Sequence, residues 1–279
     1  SFFFQTTKII IISYIYIVSC DIITLLKRGD FMRTINLSEV TEKVKNAVIE
    51  INYKLDDSLV ALFNKAYKNE TKELSKAVLS DIIENQDIAR KGDVPLCQDT
   101  GVVVVFMEIG NNVFIDGDIY ESINEGVRQG YKEGYLRKSM VNHPFDRVNT
   151  KDNTPAIIHT KIVQGNTIKM KIASKGGGSE NMSKVTMLTP ADSIDGVKKL
   201  VLDTIFNAGG KPCPPIIVGI GIGGNLEKSA LLAKEALLRD LDDENNDKII
   251  RTLEKELYDE INELGVGPMG VGGKQHAWQ

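Results

Sequence analysis

From Val40 onward, apolar positions recur at helical spacing. Val40, Val44, Val48 and Ile51 fall on one face of a helix that Ser38 can cap. Asp56-Asp57-Ser58 opens a second helix carrying Val60, Leu62, Phe63 and Tyr67, and Thr71 opens a third with Leu74, Val78, Ile82 and Ile83 facing inward. Residues 38–90 therefore read as a helical region. The period then changes. Residues 102–107 are an unbroken apolar run, the pattern of a strand buried on both faces. Asn111-Asn112 turns the chain into Val113-Phe114-Ile115, and residues 118–136 return to helical spacing with Ile119, Ile123, Val127 and Tyr131. Residues 156–162 and 167–173 alternate apolar and polar around Gln164-Gly165-Asn166, which predicts a hairpin. Pro190-Ala191-Asp192 starts a helix with Ile194, Val197, Leu200, Val201 and Ile205, ending at Gly209-Gly210. A strand over 216–220, a helix from Asn225 to Leu238, an acidic link over 240–247 and an amphipathic helix over 248–264 complete the body. The predicted class is α+β: an N-terminal helical region followed by mixed sheets flanked by helices.

The two ends follow different patterns. Residues 9–20 are an apolar run of β-branched and aromatic residues, shorter than the roughly 20 needed to span a bilayer. They lack the small-residue cleavage site of a signal peptide. Lys27-Arg28-Gly29-Asp30-Phe31-Met32 can be encoded as AAA-AGA-GGU-GAU-UUU-AUG, a purine-rich ribosome-binding site before a start codon. The expectation is a native start at Met32, with 1–31 a translated leader and 32–279 the folded body. At the other end, Gly265-Val266-Gly267-Pro268-Met269-Gly270-Val271-Gly272-Gly273 is a glycine-rich loop with only six residues after it. The domain is expected to be C-terminally incomplete.

Composition narrows the function. The 279 residues suffice for one large or two modest domains. A net charge of −4 offers no basic field for nucleic acid. Cys20, Cys97 and Cys213 are too few and too scattered for a secreted disulfide framework. They suit a cytoplasmic protein without a membrane span and leave metal or cluster ligation open.

Candidate chemistry gathers around these cysteines. In Asp93-Val94-Pro95-Leu96-Cys97-Gln98-Asp99-Thr100-Gly101, a thiol, an amide, a carboxylate and a hydroxyl occupy four positions at a strand mouth, fixed by Pro and Gly. Cys213 lies in a second such loop, Lys211-Pro212-Cys213-Pro214-Pro215. Between them come Arg137 and the run Lys175-Gly176-Gly177-Gly178-Ser179-Glu180-Asn181, whose glycines permit close backbone approach. The set suggests a soft metal or iron–sulfur cluster beside a carboxylate pocket. Two thiolates complete neither a zinc site nor a cluster. His143 and His159 are the remaining in-chain donors, and each reads more naturally as structural. Gly219-Ile220-Gly221-Ile222-Gly223-Gly224 formally matches a dinucleotide fingerprint. No strand follows to present a ribose-binding acid, so helix-terminal amides facing an anion are the plainer reading.

Five stretches, in order, resemble the class I iron–sulfur fumarase and L-tartrate dehydratase family: Pro95 to Gly101, Leu136-Arg137-Lys138-Ser139, Lys175 to Asn181, Lys211 to Pro215, and Gly219 to Gly224. The resemblance covers about 32–273 and is to the alpha subunit. It implies a hydro-lyase with a [4Fe–4S] cluster held by three cysteines, two of which map onto Cys97 and Cys213. The third would lie in a Cys-His segment beyond the glycine-rich C-terminal motif; Cys20 is no replacement, lying in the suspected leader. Gln98, Asp99, Arg137 and Gly177 map onto substrate-binding positions for a small dicarboxylate. The general base is expected in a beta subunit, with an α2β2-type assembly. The implied reaction is fumarate to (S)-malate; L-tartrate to oxaloacetate is the alternative. A non-catalytic cluster carrier or a dinucleotide-binding protein stands as the second alternative.

Overall fold

The most apolar strand sits at the centre of its sheet. In the computed structural model, which describes residues 7–13, 15–22, 32–92, 94–214, 216–274 and 277 (the first two as backbone alone), the chain forms two units. One comprises Tyr16–Leu55 and Gln86–Gly176, the other Ser1–Ile15, Asp56–Asn85 and Gly177–Gln279.

In the first of these units, strands β2 (Ile15–Ile22), β4 (Val102–Gly110), β6 (Ile157–Val163) and β7 (Ile168–Lys175) form one sheet in the order β2-β7-β4-β6. β4 runs parallel to β6 and antiparallel to β7, with Val105 opposite both Ile158 and Ile172. The predicted hairpin is thus corrected: β6 and β7 do not pair with each other but flank β4. The cause is the apolar run itself. Val103, Val104, Val105 and Met107 are all buried, so β4 takes the interior slot that the alternating strands cannot fill. The turn after β4 enters the gap: Asn111 N donates to the Val163 carbonyl (2.8 Å) and Asn112 N to the Gly165 carbonyl (2.9 Å). A short parallel pair, β3 (Arg33–Ile35) with β5 (Val113–Ile115), lies apart from this sheet.

Helix α1 (Leu37–Tyr53) buries Val40, Val44, Val48 and Ile51, the predicted face, against α4 (Ile119–Glu133), which buries Ile119, Ile123, Val127 and Tyr131. The α1 cap is Asn36 rather than Ser38: its side chain accepts the Ser38 amide at 3.0 Å.

The second unit builds on strands β8 (Lys184–Met187), β1 (Thr7–Ser13) and β9 (Ile217–Ile222), with β1 antiparallel between the others. Residues 7–13 form its middle strand. Helix α7 (Leu226–Ala236) packs on β9, and α6 (Ser193–Ala208), preceded by a 3-10 turn at Pro190–Asp192, packs with α8 (Lys248–Glu263). Lys198 joins these two helices through Glu256 (2.7 Å) and Glu260 (2.6 Å).

Helix α2 (Asp57–Asn69) buries Leu59, Phe63 and Ala66. Helix α3 (Glu73–Arg90) buries Ser75, Leu79, Gln86 and Ala89 while Leu74 is exposed, one position round from the predicted face. Ser75 turns inward because it donates to the Gly272 carbonyl at 2.5 Å. Among the described residues, no helix is long and apolar enough to cross a membrane.

Candidate functional site

Hydrogen bonds, rather than packing, set the shape of the loop over 97–101. The Asp99 amide donates to Cys97 Sγ at 3.4 Å, and Asp99 Oδ1 accepts the Gly101 amide at 3.2 Å. The loop backbone thus contacts the Cys97 sulfur directly. Thr100 is buried; its hydroxyl donates to the Arg137 carbonyl at 2.8 Å. Tyr131 OH donates to the carbonyls of Thr100 (2.5 Å) and Gly101 (3.0 Å), and Ser174 Oγ also donates to Thr100. Burial pushes the Tyr131 phenol up to about 12, and the Asp99 carboxylate adds to that, against the hydrogen bonds of Ser174 and Thr100.

Gly101 has φ +62°, and a Cβ there would sit 2.3 Å from the Lys175 carbonyl oxygen. Only glycine fits. A Cβ on Gly176 would lie 3.2 Å from Asp99 Oδ2. The end of β7 and the start of β4 are therefore pressed together at the site.

Asn153 ties this loop to the segment bearing Arg137. It is fully buried, with φ +64°. Its Nδ2 donates to the Gly101 carbonyl at 3.0 Å, and its Oδ1 accepts the amides of Ser139 (2.7 Å) and Met140 (3.2 Å). Of the predicted residues, the first unit thus brings together half-buried Cys97, exposed Gln98, half-buried Asp99 and exposed Arg137.

Gly177 and Cys213 belong to the other unit. Gly177 opens a single helical turn, α5 (Gly177–Glu180), and is exposed. A Cβ on Gly178 would lie 3.3 Å from the Lys211 carbonyl oxygen, so the triple glycine runs beside the loop of exposed Cys213. The glycine-rich C-terminal loop buttresses that loop: a Cβ on Gly210 would meet the Met269 carbonyl oxygen at 2.1 Å. Buried Glu70 anchors the far side. Its Oε1 accepts the amides of Thr71 (2.8 Å) and Lys72 (2.9 Å), and its Oε2 accepts that of Lys274 (3.1 Å).

His143 and His159 make local contacts. His159, on β6, lays its ring 4.7 Å from that of Phe106. His143 Nδ1 accepts the Phe145 amide at 3.2 Å, capping a turn. The fingerprint-like glycines are explained by packing: a Cβ on Gly219 would lie 2.2 Å from the Ala233 carbonyl oxygen, and one on Gly221 1.9 Å from that of Ser229. They let α7 lie directly on β9. Asn225 caps α7 by accepting the Lys228 amide at 3.0 Å.

Sequence reasoning missed Asn153, Tyr131 as a loop anchor, and Glu70. The positions of Asn153 between two turns and of Glu70 between two helices carried only a generic polar signal. Among the described residues, no three or more His, Cys, Asp or Glu side chains are gathered to hold a metal ion.

The Cys97 loop and the Arg137 segment are tied together within the first unit, and the glycine run and the Cys213 loop lie side by side within the second. The chain belongs to the fumarate hydratase (Fumerase) family, whose sequence profile matches residues 41–279, and is an enzyme of the hydro-lyase class. It is 46% identical over 242 residues to a Methanocaldococcus jannaschii protein provisionally named L(+)-tartrate dehydratase subunit alpha, covering 83% of this chain and 85% of that one. It is 28% identical over 241 residues to the proteins named L(+)-tartrate dehydratase subunit alpha of Escherichia coli K12 and Shigella sonnei, covering 85% of this chain and 79% of theirs.

Proposed function

We propose that this chain is the alpha subunit of a cytoplasmic iron–sulfur hydro-lyase that interconverts (S)-malate and fumarate together with a beta subunit. The observation that carries the reading is the bond from the Asp99 amide to Cys97 Sγ, on a loop whose next residue holds Arg137 in place.

The donor chemistry fits a [4Fe–4S] cluster in part. Cys97 is half-buried and Cys213 exposed, each on a loop, and each would supply one ligand; the third would come from outside the described residues. When bound, the cluster supplies a Lewis-acidic iron that favours departure of the substrate hydroxyl. Gln98 and Asp99, beside a ligand, orient that hydroxyl by hydrogen bonding. Arg137 clamps a substrate carboxylate through two parallel hydrogen bonds. Gly177 offers its backbone N–H to the same or the second carboxylate. The group that takes the carbon-bound proton belongs to the beta subunit.

The names of the similar proteins favour a second reading, L-tartrate to oxaloacetate. Assay of the anaerobically co-expressed alpha–beta complex separates the two. The proposal expects fumarate from malate, with tartrate turned over at least about a hundredfold more slowly. The reverse preference establishes the second reading, and no turnover of either by a cluster-loaded complex overturns both.

A further inference from the structure

The segment over 135–153 protrudes from the Arg137 site, and its own core does not explain it. Residues 142–148 are all exposed, and Phe145 is 90% exposed. Tyr135, at the start of the segment, is 87% exposed. Yet the backbone is tightly defined. Asn142 N donates to the Val148 carbonyl (2.8 Å), Arg147 N to the His143 carbonyl (2.8 Å) and Thr150 N to the Met140 carbonyl (2.9 Å). Asn149 Nδ2 donates to the Lys138 carbonyl at 2.9 Å.

Tyr135, Arg147, Lys151 and Asn153 hold positive φ, at 50°, 56°, 68° and 64°. Non-glycine residues adopt this conformation at a cost, and it persists only where surrounding bonds over-determine it. The result is a pre-ordered loop with a bare aromatic tip.

Its charge also departs from the rest of the chain. Leaving out Arg137, which serves the substrate, residues 138–151 carry three cations, Lys138, Arg147 and Lys151, against the single carboxylate of Asp146, in a protein of net charge −4. Asp152, which would offset them, is engaged with Arg128 (3.5 Å).

We infer that this loop is the docking element for the beta subunit: Phe145 enters an apolar pocket of that partner, and the basic residues meet an acidic rim around it. Three observations select this occupant. The base of the loop is the site segment itself, joined to Thr100 and Gly101, so a chain seated there lies beside Arg137 and can contribute groups to the substrate it binds. A rigid aromatic on a pre-ordered loop is the usual anchor of a protein interface, since little entropy is lost on docking. The basic collar supplies complementarity to an acidic partner. The inference rests on the hydro-lyase reading only in taking the beta subunit as partner.

The test uses the co-expressed alpha–beta complex with affinity-tagged beta subunit. Phe145→Ser and Phe145→Trp complexes are diluted, and dissociation is followed by analytical ultracentrifugation, at low and high salt. Phe145→Ser is expected to weaken alpha–beta association about tenfold or more. Phe145→Trp should stay near wild type, and higher salt should weaken the wild-type complex. The melting temperature and the turnover at saturating beta subunit should be unchanged by Phe145→Ser, since the side chain supports neither the fold nor the chemistry. Unaltered alpha–beta affinity in Phe145→Ser overturns the inference. So does loss of a second alpha copy with the alpha–beta contact intact, which assigns the tip to self-association. A wild-type complex that assembles but turns over no dicarboxylate overturns the proposed function and leaves this inference standing.

Discussion

Asn153 donates its side-chain amide to the Gly101 carbonyl at 3.0 Å while receiving two amides from the Arg137 segment. One buried side chain therefore sets the spacing between the cysteine loop and the arginine loop. Asn153→Leu strands these backbone groups and puts a branched side chain at φ +64°. The expected cost is about 3 kcal/mol in urea unfolding, at roughly 1 kcal/mol per lost bond. KM for the dicarboxylate should rise more than kcat falls, because Arg137 loses its position.

Gly101→Ala should be worse. The new methyl would lie 2.3 Å from a backbone carbonyl oxygen that cannot give way, since it belongs to β7 beside β4. Loss of about 3 kcal/mol or more, or insoluble protein, is expected on expression. A soluble variant of wild-type melting temperature would contradict the geometry.

Tyr131 predicts a dependence on alkaline pH. Its phenol stays neutral in the folded chain up to about 12, against 10.0 as the ordinary value. The contribution is fully present below pH 10 and is lost as pH rises from 10 to 12, where only the unfolded chain ionises. Two units correspond to about 2 to 3 kcal/mol. Tyr131→Phe should lack this share of the alkaline decline and should cost about 1 kcal/mol at neutral pH through its lost hydrogen bonds. Urea unfolding at pH 7, 10 and 12 checks both.

Glu70→Ala removes the acceptor for three backbone amides at the glycine-rich C-terminal loop. Hydrogen exchange should accelerate at Thr71, Lys72 and Lys274 and leave the Asn153 cluster, in the other unit, unchanged. A destabilisation of about 3 kcal/mol is expected. Equal acceleration throughout the chain would show that Glu70 is not a local clamp.

Much of this was legible in the sequence because it depends on period. The buried faces of α1 and α4 follow directly from apolar spacing, and the loop over 97–101 stands out by its mixture of chemistries between Pro95 and Gly101. The hairpin misreading has a physical source. Alternation over 156–173 reveals strands with one apolar face, but it carries no information on which strand fills the hydrogen-bonding edge between them, and β4 fills it from fifty residues away in sequence. The face of α3 was misread because a hydroxyl, Ser75, is drawn inward by a carbonyl nearly two hundred residues on. Short strands such as β3 and β8 have too few residues to show a period. Asn153 and Glu70 escaped for a related reason: their roles lie in backbone groups far along the chain, and a polar residue between elements gives no sign of which backbone it will satisfy.

The central claim, that Cys97 is a cluster ligand beside a dicarboxylate pocket, is tested most directly by Cys97→Ser in the anaerobically purified alpha–beta complex, assayed for iron content, visible absorption and fumarate formed from malate. The predicted result is an intact complex with diminished cluster absorption and turnover reduced at least about a hundredfold. A Cys97→Ser complex that keeps both its cluster spectrum and its activity would contradict the account.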